Sequence, residues 1–233
     1  MKLSMEKLDA MKQKEMDNFV KEAFSEMPIG KIEDVQTYAK LTVADAHLKR
    51  KEYQKAFDIY SRFYKESISS PYLPLFRDRI FQTVTAEIKA QWQDKKPMAV
   101  IHTAQRNKDT WLKDNNRIDT ELFVGLAYEK LNLLEDAQKY YSSGDKKIRT
   151  LHPQDEQRRQ LFEEGFTKDQ LKLRQAVVKL GLDDIGGASK FLASVANPEA
   201  FTPEEKIEYN LATSQVAERE NRIDVAIGQL KKL

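Results

Sequence analysis

Apolar residues recur every three or four positions along most of the chain, which is the spacing of one face of an α-helix. Two stretches carry this pattern in nearly the same form. The first comprises Val43, Ala44, His47, Ala56 and Tyr60, and the second comprises Val124, Gly125, Tyr128, Ala137 and Tyr141. Each sets a small residue in one helical segment against an alanine and an aromatic residue in the next. Small residues let two helix backbones approach closely, so both stretches predict antiparallel helix pairs.

Breaks in the pattern divide the chain into one single helix and five helix pairs. Residues 1–30 are predicted to form an amphipathic helix with methionine and phenylalanine on its apolar face. Residues 31–233 are predicted to form a repeat array that continues beyond residue 233 in a longer parent protein, with helix pairs at about 34–67, 75–107, 118–147, 168–196 and 203–233. The polar stretch around residues 152–165 predicts an inserted loop or an extra helix.

The alanine of each second helix serves as a marker for the register of the pairs. The markers are Ala56, Ala99, Ala137, Ala188 and Ala226, which are 43, 38, 51 and 38 residues apart. In this register the second pair fits the pattern poorly, because Glu87 takes the position of the small residue. The repeats are therefore expected to be irregular in length.

The first and third pairs resemble tetratricopeptide repeats. That family carries a large apolar residue, a small residue and an aromatic residue on its first helix, and alanine followed four positions later by an aromatic residue on its second. Val124, Gly125, Tyr128, Ala137 and Tyr141 match this pattern, and His47 replaces the usual tyrosine in the first pair. The resemblance implies an all-α fold, a right-handed α-solenoid of about five helix pairs whose first helices line the inner wall.

The resemblance also implies a partner-binding wall on the face of each first helix that lacks the small residue. Carried over position by position, this wall comprises Tyr38, Leu41, Asp45, Lys49, Phe81, Val84, Ile88, Trp92, Leu122, Leu126, Glu129, Leu173 and Val177, with Leu211 and Gln215 in the fifth pair. These residues are largely apolar, so a peptide or helix of a partner protein is the expected ligand. Leu41 and Asp45 stand where some members of the family use lysine and asparagine to hold a terminal carboxylate. The alternative interpretation places many of these residues in the core.

Charge and composition exclude several classes of function. Charged residues make up 33% and apolar residues 40% of the 233 residues, and the net charge is +2. The basic clusters lie in predicted turns beside acidic residues, so we expect no nucleic-acid partner. The chain has no cysteine, so a disulfide framework, a thiolate nucleophile and a cysteine-based zinc site are excluded. It has no apolar run of about 18 residues, so we expect no membrane insertion. The N-terminus lacks the apolar segment of a secretion signal, which favours the cytoplasm, with the bacterial periplasm as the alternative.

No constellation of residues indicates catalysis. The three histidines, His47, His102 and His152, are far apart and begin no metal-binding motif. Neighbouring acidic residues such as Asp183 and Asp184 point in different directions on a helix and cannot act as a pair. We therefore expect no enzymatic activity, no cofactor and no metal. The leading hypothesis is a protein-interaction scaffold. The alternative is a structural spacer or oligomerisation domain that self-associates weakly through the N-terminal helix or the open C-terminal end.

Overall fold

Residues 32–66, 72–113, 117–150 and 166–233 are described by a computed structural model, with side chains in the first helix from Ala39 onward. Within these ranges the chain forms ten α-helices and no strand, which confirms the all-α class for this part of the chain. The helices are α1 (Ile32–Lys49), α2 (Tyr53–Glu66), α3 (Leu73–Gln93), α4 (Pro97–Asn107), α5 (Ile118–Lys130), α6 (Leu134–Thr150), α7 (Lys168–Gly181), α8 (Ile185–Ala193), α9 (Pro203–Arg219) and α10 (Ile223–Leu230).

Three of the sequence predictions lie outside the described residues. They are the amphipathic helix over residues 1–30, the insertion around residues 152–165 and the side chain of Tyr38. Among the described helices, none is both long and apolar enough to cross a membrane.

The chain divides into two compact units, and the described part of the first comprises residues 32–66, 72–90 and 103–113. Here α1 packs on α2, and the rings of Phe63 in α2 and Phe76 in α3 lie 6.1 Å apart. In the second unit, which contains residues 91–102, 117–150 and 166–233, α5 packs on α6, α6 on α7, and α7 on both α8 and α9. Helix α9 also packs on α8 and α10.

One turn geometry follows the first helix of all five pairs. Three residues separate the helices of each pair, and the middle one has a left-handed backbone with φ between 58° and 61°: Lys51, Lys95, Asn132, Asp183 and Asn221. The next residue donates its backbone N–H to the carbonyl five positions back, over 2.7 to 2.9 Å. This is the Schellman motif, which satisfies the last carbonyls of a helix and reverses the chain.

The left-handed residues give the register of the pairs independently of residue type. Five positions after them lie Ala56, Val100, Ala137, Ala188 and Ala226, all buried. Seven positions before them lie Ala44, Ile88, Gly125, Ala176 and Ser214, also buried. The register that the sequence predicts for the second pair is therefore wrong by one residue. Val100 rather than Ala99 takes the marker position, and Ile88 rather than Glu87 takes the position of the small residue. The left-handed residues are 44, 37, 51 and 38 residues apart.

Side-chain caps begin α7 and α9 at defined residues. Thr167 and Gln170 form a capping box at α7, and Thr202 and Glu205 form one at α9. The carboxylate of Asp169 accepts the backbone N–H groups of Ala196 and Asn197 over 3.0 and 2.8 Å, which ties the start of α7 to the segment after α8. These contacts fix where the first helices of the last two pairs begin.

Replacing Lys51 by glycine is expected to stabilise the protein. A side chain in the left-handed region costs about 1 kcal/mol of steric strain, and glycine removes this strain while making the unfolded chain more flexible. We expect the free energy of unfolding to rise by about 0.5 kcal/mol, measured by denaturant unfolding. Lys55→Gly is the matched control, because the same side chain is removed inside α2, where glycine costs about 1 kcal/mol. A Lys51→Gly variant as destabilised as the control would contradict the turn geometry.

Candidate functional site

Gly125 in α5 makes room for the ring of Tyr141 in α6. A Cβ atom at position 125 would lie 2.5 Å from Cε1 and 2.7 Å from Cδ1 of that ring. The sequence predicts that Gly125 lies against the alanine and the aromatic residue of the next helix, Ala137 and Tyr141, and the three nearest heavy atoms all belong to Tyr141. Tyr141 is completely buried, so the close approach of α5 and α6 depends on a glycine at this position.

The hydroxyl group of Tyr141 begins a chain of polar contacts across four helices. It donates a hydrogen bond of 2.5 Å to Oε2 of Glu129 in α5. Oε1 of Glu129 lies 3.0 Å from Nη1 of Arg174 in α7, and Nη2 of Arg174 contacts Glu208 in α9. Burial and the nearby charge of Glu129 raise the pKa of Tyr141 well above its ordinary value, so the hydroxyl stays protonated as a donor.

The first helices of the last three pairs present one surface within the second unit. We call it the α5/α7/α9 face and define it by Leu126, Glu129, Arg174, Val177, Glu208, Leu211 and Gln215. Two clefts open on this face. Arg174 lines one cleft and its partner Glu208 lines the other, so their ion pair lies between the two.

The smaller cleft has a volume of about 260 Å³ and is lined by residues of four helices, α5, α6, α7 and α9. It is lined by Leu122, Leu126, Tyr141, Phe166, Gln170, Leu171, Arg174 and Glu205. The side-chain amide of Gln170 donates a 2.6 Å hydrogen bond to Glu205, which joins α7 to α9 at this cleft. Apolar side chains make up most of the lining, so the smaller cleft favours an apolar group of a ligand.

The larger cleft has a volume of about 580 Å³ and lies between α7, α8 and α9. It is lined by Val177, Leu180, Gly181, Ile185, Glu208, Leu211, Ala212, Gln215, Glu218 and Arg219. Its volume falls within the range of about 300–1,000 Å³ that is usual for ligand sites. An apolar wall with acidic residues at its border is thus available to several side chains of one ligand.

Around the two clefts taken together, carboxylates outnumber cations. Four glutamates line or border them: Glu129, Glu205, Glu208 and Glu218. Among the described lining residues the cations are Arg174 and Arg219. Arg174 is shared between two glutamates, and Arg219 lies 2.9 Å from Asp183. The α5/α7/α9 face is therefore acidic, although the net charge of the chain is +2.

Several residues predicted for the inner wall lie together on this face. Leu126 lines the smaller cleft, and Val177, Leu211 and Gln215 line the larger one. The carboxylate of Glu129 is already bonded to Tyr141 and Arg174, so it holds the helices together and is not an open contact for a ligand. Four of the residues predicted for these three helices, Leu126, Val177, Leu211 and Gln215, therefore lie together at the two clefts.

Two residues predicted for the same wall belong to the core. Leu122 and Leu173 are 3% and 0% exposed. Leu173 packs in a cluster with Ala176 and Leu192, and Leu122 offers only an edge to the smaller cleft. Their assignment as partner-binding residues is corrected, because neither has enough exposed surface for an interface.

In the first unit Asp45 has a structural partner. The hydroxyl of the completely buried Tyr60 donates a hydrogen bond to Oδ1 of Asp45, and Nε of Arg79 lies 3.5 Å from the same oxygen. Burial, followed by the hydrogen bond to Asp45, raises the pKa of Tyr60. Asp45 therefore joins α1 to α2 and α3, which is a structural role that the sequence did not indicate.

The other residues that the sequence predicts for the wall in the first two pairs differ in how deeply they are buried. Leu41, Val84 and Ile88 are 9%, 0% and 0% exposed, so their assignment as contact residues is corrected in favour of the core. Phe81 and Trp92 are half-buried and Lys49 is exposed. For these three side chains, binding of a partner stays a prediction.

Sequence reasoning missed the central cation of the face. Arg174 precedes Val177 by three positions and Leu173 precedes it by four, and both spacings keep residues on one side of a helix. The positions carried over from the repeat family gave Leu173 and Val177 and did not include Arg174. Glu208 on α9 carries the opposite charge to Arg174, and this complementarity was the available signal for the other choice.

The histidines show no metal chemistry in the described part of the chain. His47 is completely buried, and its Nδ1 lies 2.5 Å from Oε2 of Glu52. This hydrogen bond lowers the pKa of Glu52. His102 is exposed on α4, and His152 lies outside the described residues. Within those ranges no three residues among His, Cys, Asp and Glu are grouped as metal ligands.

Comparison of the chain with protein-family models, with curated proteins and with solved structures finds no match.

Replacing Gly125 by alanine is expected to destabilise the second unit. The new methyl group would overlap the Tyr141 ring, and overpacking of this kind costs about 1–3 kcal/mol, more than the gain of about 1 kcal/mol from helix propensity. Denaturant unfolding measures the loss. Gly186→Ala is the matched control because a Cβ atom there meets nothing within 4 Å, and it is expected to be neutral or stabilising. Equal stability of both variants would contradict the packing of Gly125 against Tyr141.

Alkaline pH is expected to destabilise the protein through its buried tyrosines. Burial raises the pKa of Tyr140 from 10.0 to about 12, so the unfolded chain ionises at a lower pH than the folded one. The contribution of Tyr140 to the free energy of unfolding is therefore fully present below about pH 10. It falls by about 1 kcal/mol for each pH unit between about pH 10 and about pH 12. The free energy of unfolding, measured across this pH window, should fall less for Tyr140→Phe than for the wild type. Parallel curves for the two proteins would disprove the shift.

Proposed function

We propose that the chain is a non-enzymatic scaffold of the tetratricopeptide type that binds a peptide or helix of a partner protein on the α5/α7/α9 face. One observation carries this proposal. Residues named from the repeat pattern on three different helices, Leu126, Val177 and Leu211, line two clefts that are joined by the Arg174–Glu208 ion pair. Surfaces that combine apolar clefts with fixed polar groups are typical of peptide recognition.

The packing of successive helix pairs within the second unit supports the same interpretation. In the second unit α6 contacts α7, and α8 contacts α9, so each pair packs on the next one along the chain. Helices α7 and α9, the first helices of their pairs, also contact each other directly. We propose that this order continues as a right-handed α-solenoid, in which the first helices share the inner wall.

The polar groups of the face argue for an apolar ligand. Arg174 is paired with both Glu129 and Glu208, so its guanidinium group is not available to hold a terminal carboxylate. The remaining glutamates repel an acidic peptide. A segment with apolar side chains spaced to enter both clefts therefore fits better than an acidic tail.

Charged or bulky substitutions in the clefts are expected to weaken partner binding without unfolding the chain. Peptides selected from a random display library on the wild-type protein should bind Leu126→Lys and Gln215→Trp at least about tenfold more weakly, because the first variant places a charge in the smaller cleft and the second fills the larger one. Fluorescence anisotropy measures the affinities, and circular dichroism checks the fold.

Leu133→Lys is the matched control. Leu133 is 47% exposed in the turn between α5 and α6 and lines neither cleft. Its variant should bind the selected peptides as the wild type does. Equal affinity for all four proteins, or no enrichment of any peptide, would refute the proposed binding face.

A further inference from the structure

The junction between the third and fourth pairs and the junction between the fourth and fifth pairs can be compared residue by residue. Glu129 and Leu180 both stand three positions before the left-handed residue of their own pair. Arg174 and Ala212 both stand nine positions before the left-handed residue of theirs. Leu180 and Ala212 therefore take, at the later junction, the places that Glu129 and Arg174 take at the earlier one.

At the earlier junction an ion pair occupies these two places. Oε1 of Glu129 lies 3.0 Å from Nη1 of Arg174, and the two side chains are 14% and 19% exposed. The guanidinium group of Arg174 also contacts the carboxylate of Glu208 on α9. A long cationic side chain thus fills the space between the first helices of these pairs.

At the later junction the same two places are apolar and leave a cavity. Leu180 and Ala212 both line the larger cleft, whose volume is about 580 Å³. Ala212 ends at its Cβ atom, whereas Arg174 extends from the equivalent position to the neighbouring helices. The larger cleft therefore opens where the later junction lacks a side chain like that of Arg174.

The ion-pair cluster beside this cleft has one negative charge left over. Two carboxylates, those of Glu129 and Glu208, share the single guanidinium group of Arg174. The side chain of Glu208 is the most exposed of the three, at 34%, and within the described ranges Arg174 is its one ion-pair partner. Glu208 also lines the larger cleft, so the uncompensated charge stands at the wall of that cleft.

We infer that a long basic side chain of the bound peptide, arginine or lysine, occupies the larger cleft and pairs with Glu208. Its methylene stem lies along Val177, Leu180 and Ala212, and its cationic end supplies the charge that Arg174 leaves uncompensated. Long basic side chains combine an apolar stem with a charged end in this way. The inference rests on the proposed function and specifies which residue of the peptide enters this cleft.

The spacing of the lining residues fits such a side chain. Val177 and Leu180 are three positions apart on α7, and Glu208 and Ala212 are four positions apart on α9, so each pair lies on one side of its helix. The cleft therefore has an apolar part and a carboxylate within the length of one side chain. A wholly apolar side chain would cover the carboxylate of Glu208 without replacing its lost hydration, which is costly.

The test uses peptides selected from a random display library on the full chain. Each arginine and lysine of a selected peptide is replaced in turn by norleucine, which keeps an apolar stem and removes the charge. At one position we expect norleucine to weaken binding to the wild type at least about tenfold in fluorescence anisotropy. On Glu208→Gln the two forms of the peptide should differ by about twofold or less, because the partner of the charge is gone.

Two further variants locate the effect. Gln215 is exposed and lines the larger cleft, so Gln215→Trp fills this cleft without changing the ion pair and should also abolish the difference between the two peptides. Glu204→Gln is the matched control, because it removes the same charge from an exposed position of α9 that lines neither cleft. On this control the full difference should remain. Thermal unfolding checks that all three variants fold as the wild type does.

Three results would overturn the inference. Selected peptides that lose nothing with norleucine at any position would make an apolar side chain the occupant and leave the proposed function standing. A loss that is as large on Glu208→Gln and Gln215→Trp as on Glu204→Gln would mean a general attraction of basic peptides, which also leaves the proposed function standing. Failure to enrich any peptide would refute the proposed function and this inference together.

Discussion

The packing of the Tyr141 ring on Gly125 sets how closely α5 and α6 approach, and the α5/α7/α9 face depends on that distance. With the ring seated there, its hydroxyl reaches Glu129, and Glu129 in turn fixes one side of Arg174. Arg174 then joins α7 to α9 through Glu208. A single residue without a side chain thus determines where a guanidinium group stands two helices away.

The first unit contains the same three groups, a tyrosine, a carboxylate and an arginine, at different positions along its helices. There a buried tyrosine in α2, Tyr60, donates to Asp45 in α1, and Arg79 in α3 lies beside the same carboxylate. In both units the tyrosine lies four residues after the marker alanine, whereas the carboxylate and the arginine occupy different positions in the repeat. The tyrosine needs an acceptor because a buried hydroxyl without one is costly. Any carboxylate within reach on the first helix satisfies that need.

Periodicity predicted the helical class and most helix pairs, because apolar spacing and turn residues are local properties of the chain. It placed the second pair one residue out of register, since Ile88 and Val100 stand where other pairs have small residues. It also selected Leu173 and passed over Arg174, because each of them is a neighbour of Val177 on the helix and only packing against α9 decides which of the two is buried. Burial depends on neighbours distant in sequence, so the exposure of individual residues was predicted less well than the helices.

The constancy of the five turns has a consequence for variation in length. Within every pair the connection is three residues long and closed by the same two backbone bonds, whereas the distance from one turn to the next ranges from 37 to 51 residues. An added residue in the turn would break both bonds and rotate the second helix away from the first. Insertions and deletions are therefore expected to be tolerated best in the segments between pairs, where they would alter the spacing of the modules and leave each module intact.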